Sequence, residues 1–197
     1  MRKTRRQETP RIRGRTRPLR EPRGTGAWVL LAAALLATLG AVFVSLPAAD
    51  SAEAPAALEV WLVRHAEKVD DSADPPLSPE GEARAAHLAE LLADAGIDAV
   101  HSTDYQRTRD TAGPVAEALG LQVELYDPGD PQGFLDGLRQ RGGTHLVVGH
   151  SNTTPALVEA LGGDPVSPID ESEYDRLYRV SVAVDGTVES ELRRFGG

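Results

Sequence analysis

Three short stretches concentrate the residues whose types could do chemistry: Arg64-His65-Ala66-Glu67, Ser102 to Ala112 (STDYQRTRDTA), and Gly149-His150-Ser151-Asn152. Each follows a short apolar run, so each stands where a strand hands over to a loop. In open α/β sheets ligands sit beyond the carboxyl ends of the strands, and these three ends are expected to converge on one crevice. Arg64, Arg107, His65, His150 and a helix N-terminus would share it. Every group there is cationic, becomes so on protonation, or presents N–H donors. An anion is the natural occupant, and phosphate is the best match to guanidinium forks and helix N-termini. The five histidines show neither an HExxH pattern nor close pairing, so neither a metal nor a cofactor is expected.

Positioning these groups takes alternating strands and helices. Leu58–Val63, Asp98–Ser102, Gln122–Tyr126 and Thr144–Val148 read as four short buried strands. Ser78 before Pro79 reads as the cap of a helix whose Ala85, Leu88, Leu92 and Ala95 share a face, with Gly96 as its stop. A second helix over Gln106–Leu119 is expected to bury Val115, Ala118 and Leu119. Residues 131–141 form a third around Phe134 and Leu138, and a fourth runs to Leu161. Asp185-Gly186 marks a hairpin between Leu177–Val184 and Thr187–Arg193. The alternation predicts an α/β fold, a three-layer α/β/α sandwich with a mostly parallel central sheet, over residues 58–197. His87 and His145 read as ordinary helix-surface and strand-edge residues and Arg109 as a surface residue. His101 lies near the crevice without an assigned role, while Glu67 and Lys68 either line its entrance or are solvated.

Taken together, LVRHAEK, LSPEG, STDYQRTRDTA and VVGHSN resemble the successive motifs of the histidine phosphatase (phosphoglycerate mutase-like) superfamily, branch 1, in a small phosphohistidine-phosphatase-like form. They stand in that family's order and spacing between Leu62 and Leu161. The resemblance implies that His65 is the nucleophile that becomes phosphorylated. It implies that Arg64 and Arg107 grip the phosphoryl oxygens, that His150 completes the clamp, and that Ser151 and Asn152 add donors. The implied protein is a metal-independent phosphatase acting on a phosphorylated small molecule or phosphoprotein. Ala66 stands where many members have glycine. Many members also carry an acid after the third strand to protonate the leaving group; Asp127 is the candidate here, with Asp130 and Glu124 as rivals. Without a placed acid, alkoxides leave poorly, and phosphoramidates, anhydrides or aryl phosphates become the preferred substrates. Two alternatives are a non-catalytic, membrane-anchored phospho-ligand-binding module and a phosphoglycerate mutase-type phosphotransferase. A pure binder has no need of a nucleophile, and so compact a domain has little chain for a mutase lid. Specificity is expected in the loops Val69–Pro76 and Asp127–Gly133.

The rest of the chain places this domain. Residues 1–26 hold ten of the 21 basic residues and two acids, a net of +8, which leaves −17 for the remainder. Such a negative balance excludes nucleic acid as a partner of the main domain. Ala27–Leu46 is an uncharged run of 20 residues, enough at roughly 1.5 Å per residue to cross a hydrocarbon core of about 30 Å. The expected order is a basic cytoplasmic head over 1–26, a transmembrane signal anchor over 27–46 and a linker over 47–57. The domain would then stand on the extracytoplasmic side of the cell membrane, or be secreted if the segment is cleaved as a signal peptide. There is no cysteine, so stability has to come from the packed core.

Overall fold

A computed structural model describes residues 58–196. The expected head, anchor and linker lie outside the described residues, and among the described residues no helix is long and apolar enough to cross a membrane. The elements run β1 (Leu58–Arg64), α1 (Pro79–Leu92), β2 (Ala99–Ser102), α2 (Gln106–Leu119), β3 (Val123–Leu125), α3 (Pro131–Arg141), β4 (Gly143–Gly149), α4 (Thr153–Ala160), β5 (Arg176–Val182) and β6 (Val188–Arg194). They build one α/β domain around a mixed six-stranded sheet of order β3-β2-β4-β1-β5-β6. The first four strands in that order are mutually parallel, whereas β5 runs antiparallel to β1 and β6 antiparallel to β5. The tail hairpin therefore makes the sheet less parallel than the β/α alternation alone would.

Strand side chains alternate between faces, and the two faces bury different helices. Val60, Leu62, Val147 and Val180 pack with Leu135 and Leu138 of α3 and Leu157 and Val158 of α4. Trp61, Val63, Val100, Leu146 and Val148 pack with Leu88 and Leu92 of α1 and Ala112, Val115 and Ala116 of α2. Each fully buried Leu or Val contributes about 1.5–3 kcal/mol through area removed from water. On α2 the buried stripe is Thr108, Thr111, Ala112, Val115 and Ala116, so Ala118, expected inside, faces solvent one position off the stripe. On α3 the fully buried residues are Leu135 and Leu138, while Phe134 stacks on Tyr126 at 4.3 Å from half-burial. Helix α1 stops at Leu92 rather than Gly96, and Ala95 packs from the following turn.

Register decides where the chemistry lies. β1 and β4 pair from Leu58 with Gly143 to Arg64 with Gly149. The two strands end level, and His65 and His150 leave the sheet as neighbours. The His65 backbone N–H then donates to the Gly149 carbonyl at 2.9 Å, which extends the ladder by one bond.

His145 is not a strand-edge residue. It is fully buried on β4, between β2 and β1, and its Nδ1 lies 3.0 Å from Nε2 of the equally buried His101. The His145 Nε2 atom lies 2.8 Å from the Gly142 carbonyl, which fixes Nε2–H as the donor. Burial, and then the mutual proximity of the two rings, holds His101 at about 4, and burial pushes His145 down as well. Their folded values lie below the unfolded one, so the unfolded chain takes up protons first as the pH falls. The stabilisation is complete above the unfolded value near 6.5 and is lost towards 4. We expect the unfolding free energy, read from urea titration, to fall between pH 7 and pH 5, by about 2 kcal/mol for His101 alone. Replacing both rings by leucine should make that slope shallower, with His65 and His150 supplying the rest; an unchanged slope would sink this account.

Candidate active site

The loop leaving β1 is held by short-range chemistry that the sequence encodes locally. The Ala66 N–H donates to Thr111 Oγ1 of α2 at 3.0 Å, and the Ser78 N–H donates to the Glu67 carbonyl at 2.9 Å. Ser78 caps α1, its Oγ accepting from the Gly81 N–H. A Cβ at Gly81 would stand 2.2 Å from the Glu67 carbonyl oxygen, so only glycine lets the helix start press against this turn. Glu67 does not face the crevice. Its carboxylate takes Nε and Nη2 of Arg84 at 2.7–2.9 Å, and Arg84 in turn donates to the Phe195 carbonyl.

His65, thus positioned, is 4 % exposed. Its Nδ1 lies 2.8 Å from the Ala66 carbonyl, which can only accept, so Nδ1 carries the proton. Nε2 is left with its lone pair in the crevice. Burial above all, opposed by that hydrogen bond and reinforced by Arg64, Arg107 and His150, holds the ring at about 3. At neutral pH it is an uncharged imidazole fixed in the tautomer a nucleophile requires.

Arg64 is 3 % exposed and is gripped from behind. Its Nη1 donates to the carbonyls of Asp170, Glu171 and Glu173 at 2.8–3.1 Å, and Nη2 to the Glu171 carboxylate at 3.1 Å. Tyr174 lies over the guanidinium at 4.2 Å and its ring is 6.0 Å from that of His65. Arg64 Nε is buried without a hydrogen-bond partner among the described residues.

The remaining wall comes from α2 and α4. Arg107 lies over Tyr105 at 4.4 Å and is held loosely by Asp74 at 3.8 Å. Asp74 also accepts from the Gln106 N–H at 2.7 Å and so caps α2, which ties the loop after β1 to that helix. His150 sits with its ring 5.6 Å from His65, and its Nε2 lies 2.9 Å from the buried Thr103 Oγ1. Thr103 Oγ1 is 3.0 Å from Thr108 Oγ1, which has two carbonyls to donate to. Thr108 therefore accepts from Thr103, and Thr103 accepts from His150 Nε2–H. That relay leaves His150 Nδ1 for a ligand. Burial, then Arg107 and Arg64, hold His150 at about 4; a bound dianion would raise it and favour a proton on Nδ1.

These groups line one crevice of about 470 Å³ with Lys68, Tyr105, Pro128, Gly129, Ser151, Asn152, Thr153 and Glu171. The four expected core residues meet there, and so do Ser151 and Asn152. Asp127 does not line it. Its carboxylate turns back to accept from the Gly129 N–H at 2.7 Å. Asp130 caps α3 through the Gly133 N–H, and Glu124 pairs with Arg141. All three candidate acids are thus spent on turns, caps or surface pairs. Glu171 and Tyr174 were missed; Thr103 and Tyr105 stood inside a recognised motif without a role.

A family model described as the histidine phosphatase superfamily (branch 1) matches residues 60–128, which include Arg64, His65 and Arg107. A protein of Erwinia tasmaniensis named as a probable phosphoglycerate mutase, GpmB, is 31 % identical over 135 residues, 65 % of this chain and 62 % of that protein. A solved structure described as the protein histidine phosphatase SixA complexed with tungstate superposes with TM-score 0.58 at 21 % identity, covering 70 % of this chain and 97 % of that one. Over residues 60–128 the chain matches the histidine phosphatase superfamily. A mycobacterial glucosyl-3-phosphoglycerate phosphatase shares the fold at TM-score 0.52 and 16 % identity, over 72 % of this chain and 99 % of that one. The matched stretch of the superfamily model ends before His150. That residue joins the site through the level ending of β1 and β4.

Proposed function

We propose that this chain is a histidine phosphatase superfamily member and a metal-independent phosphoric monoester hydrolase that works through a phosphohistidine on His65. The observation that carries the reading is the Nδ1–H bond to the Ala66 carbonyl, which aims a neutral Nε2 into a crevice walled by Arg64, Arg107 and His150. In the first step Nε2 attacks phosphorus, a P–N bond forms, and the bond to the leaving group breaks with its electron pair. Arg64, Arg107 and His150 Nδ1 receive the charge on the equatorial oxygens. In the second step water attacks the phosphohistidine, the P–N bond breaks, and inorganic phosphate leaves with His65 restored. Asp127 is given no part in this mechanism, because it is not among the residues lining the crevice and its carboxylate accepts from the Gly129 N–H.

The only carboxylate among the described residues lining the crevice is Glu171, and it is ion-paired with Arg64 rather than free to donate a proton. Good leaving groups should therefore dominate. Aryl phosphates, anhydrides and phosphoramidates, phosphohistidine among them, are the proposed substrates. Hydrolysis of p-nitrophenyl phosphate should persist in chelator and exceed that of a simple alkyl phosphate by at least ~100-fold in kcat/KM. Equal rates for the two would overturn the missing-acid account, and loss of activity in chelator would overturn the metal-independent one.

The name of the GpmB relative favours a second reading, a phosphoglycerate mutase-type transfer. The chain spans only 62 % of that protein. Release of inorganic phosphate without isomerisation of a phosphoglycerate separates the two. The cell membrane is the proposed location, with residues 27–46 as anchor and the domain on the extracytoplasmic side. The uncharged 20-residue run beside a head of net +8 supports it. Partition of the full chain with membranes, and its release when residues 1–57 are removed, tests it.

A further inference from the structure

Glu171 holds a position that no motif assigns. It lies on the stretch between α4 and β5, and its side chain is 80 % exposed. One carboxylate oxygen meets Arg64 Nη2 at 3.1 Å and the other is 3.5 Å from Ser151 Oγ. Its backbone carbonyl accepts from Arg64 Nη1, so the residue is fixed at the crevice rim by its main chain as well.

Charge inventory shows what happens when a phosphoryl dianion enters. Its two negative charges answer Arg64 and Arg107. Lys68, the remaining cation of the crevice, is already answered by Asp71 at 2.6 Å. Asp74 stays near Arg107 and on the α2 N-terminus. Glu171 is then left with a carboxylate whose counter-ion has been claimed by the substrate. We infer that Glu171 is a specificity-determining residue that reads the charge of the group attached to the phosphoryl, favouring substrates with a cationic amine beside the scissile bond and disfavouring acidic ones. An ammonium replaces the claimed counter-ion, whereas a second anion meets an unanswered negative charge a few ångströms away.

The inference rests on the phosphatase reading, and its test separates the two. Tyramine O-phosphate and its N-acetyl derivative share a para-alkyl phenolate leaving oxygen and differ in one positive charge. Wild type should prefer the amine by about fivefold to tenfold in kcat/KM, Glu171→Gln should show less than about twofold preference, and Glu171→Lys should favour the neutral compound. The glutamine variant keeps all three backbone carbonyls on Arg64 Nη1, so a merely structural role would lower both rates together and leave the ratio unmoved. A ratio equal in wild type and Glu171→Gln overturns the inference. Should wild type hydrolyse neither compound, the phosphatase reading fails. The charge reading is then decided by calorimetric Kd values for the same pair, with the same ratios expected and the same equality overturning it.

Discussion

Replacing His65 by alanine should remove both phosphoenzyme formation and turnover, a loss of at least ~10³-fold in kcat. No neighbour can take over. Among the described residues His150 is the one other imidazole lining the crevice, and its Nε2 is committed to Thr103 while the ring stands 5.6 Å away. The fold should survive, because the ring gives up only one hydrogen bond, to the adjacent Ala66 carbonyl. Its folded value of about 3 lies below the unfolded one, so its removal also takes away a group that destabilises the folded state in acid. The check is quenching at alkaline pH, where a phosphohistidine survives, with labelled substrate in both proteins. Label on wild type alone is the expected outcome. Turnover that persists in the variant would place the nucleophile elsewhere.

The second large effect separates the two arginines. Arg64→Ala should lower kcat/KM by about 10³-fold and also cost about 3 kcal/mol of stability, because it strips a buried charge from three carbonyls and the Tyr174 face. Arg107→Ala should lower kcat/KM by about 10²–10³-fold with little change in stability. Its contacts are a carbonyl at 3.5 Å, Asp74 at 3.8 Å and the exposed Tyr105. Urea unfolding beside steady-state kinetics reads both quantities. Equal stability losses for the two variants would contradict the view that Arg64 is a keystone for residues 170–174 and Arg107 is not.

What was legible in the sequence, and what was not, follows from how far each residue's placement depends on distant partners. Strand ends are local: an apolar run that stops at Arg64 or Gly149 marks where the chain leaves the sheet, and those residues do converge. The capping pair Ser78-Pro79 was equally local, and α1 starts there. Asp130 carries the same signature before Pro131, and reading it as a cap would have removed it from the acid candidates. Asp127 before Pro128-Gly129 likewise spells a turn, and its carboxylate bonds the Gly129 N–H. Glu171 and Tyr174 gave no such signal. They lie in an irregular segment whose position is set by Arg64, more than a hundred residues earlier. Only tertiary structure brings them to the crevice. His145 failed for the related reason that burial of a short strand depends on neighbours on both sides, which here are β2 and β1.

The level ending of β1 and β4 has a practical reach. The described domain begins at Leu58, at the opposite end of β1 from His65, and seven strand residues separate that end from the crevice by roughly 20 Å. A bead, an electrode coating or a fused carrier coupled at Leu58 itself would meet the domain at the far end of that strand. Immobilised through that side, the catalyst should present its mouth to the flowing solution, with substrate access limited by diffusion to the support rather than by the attachment itself.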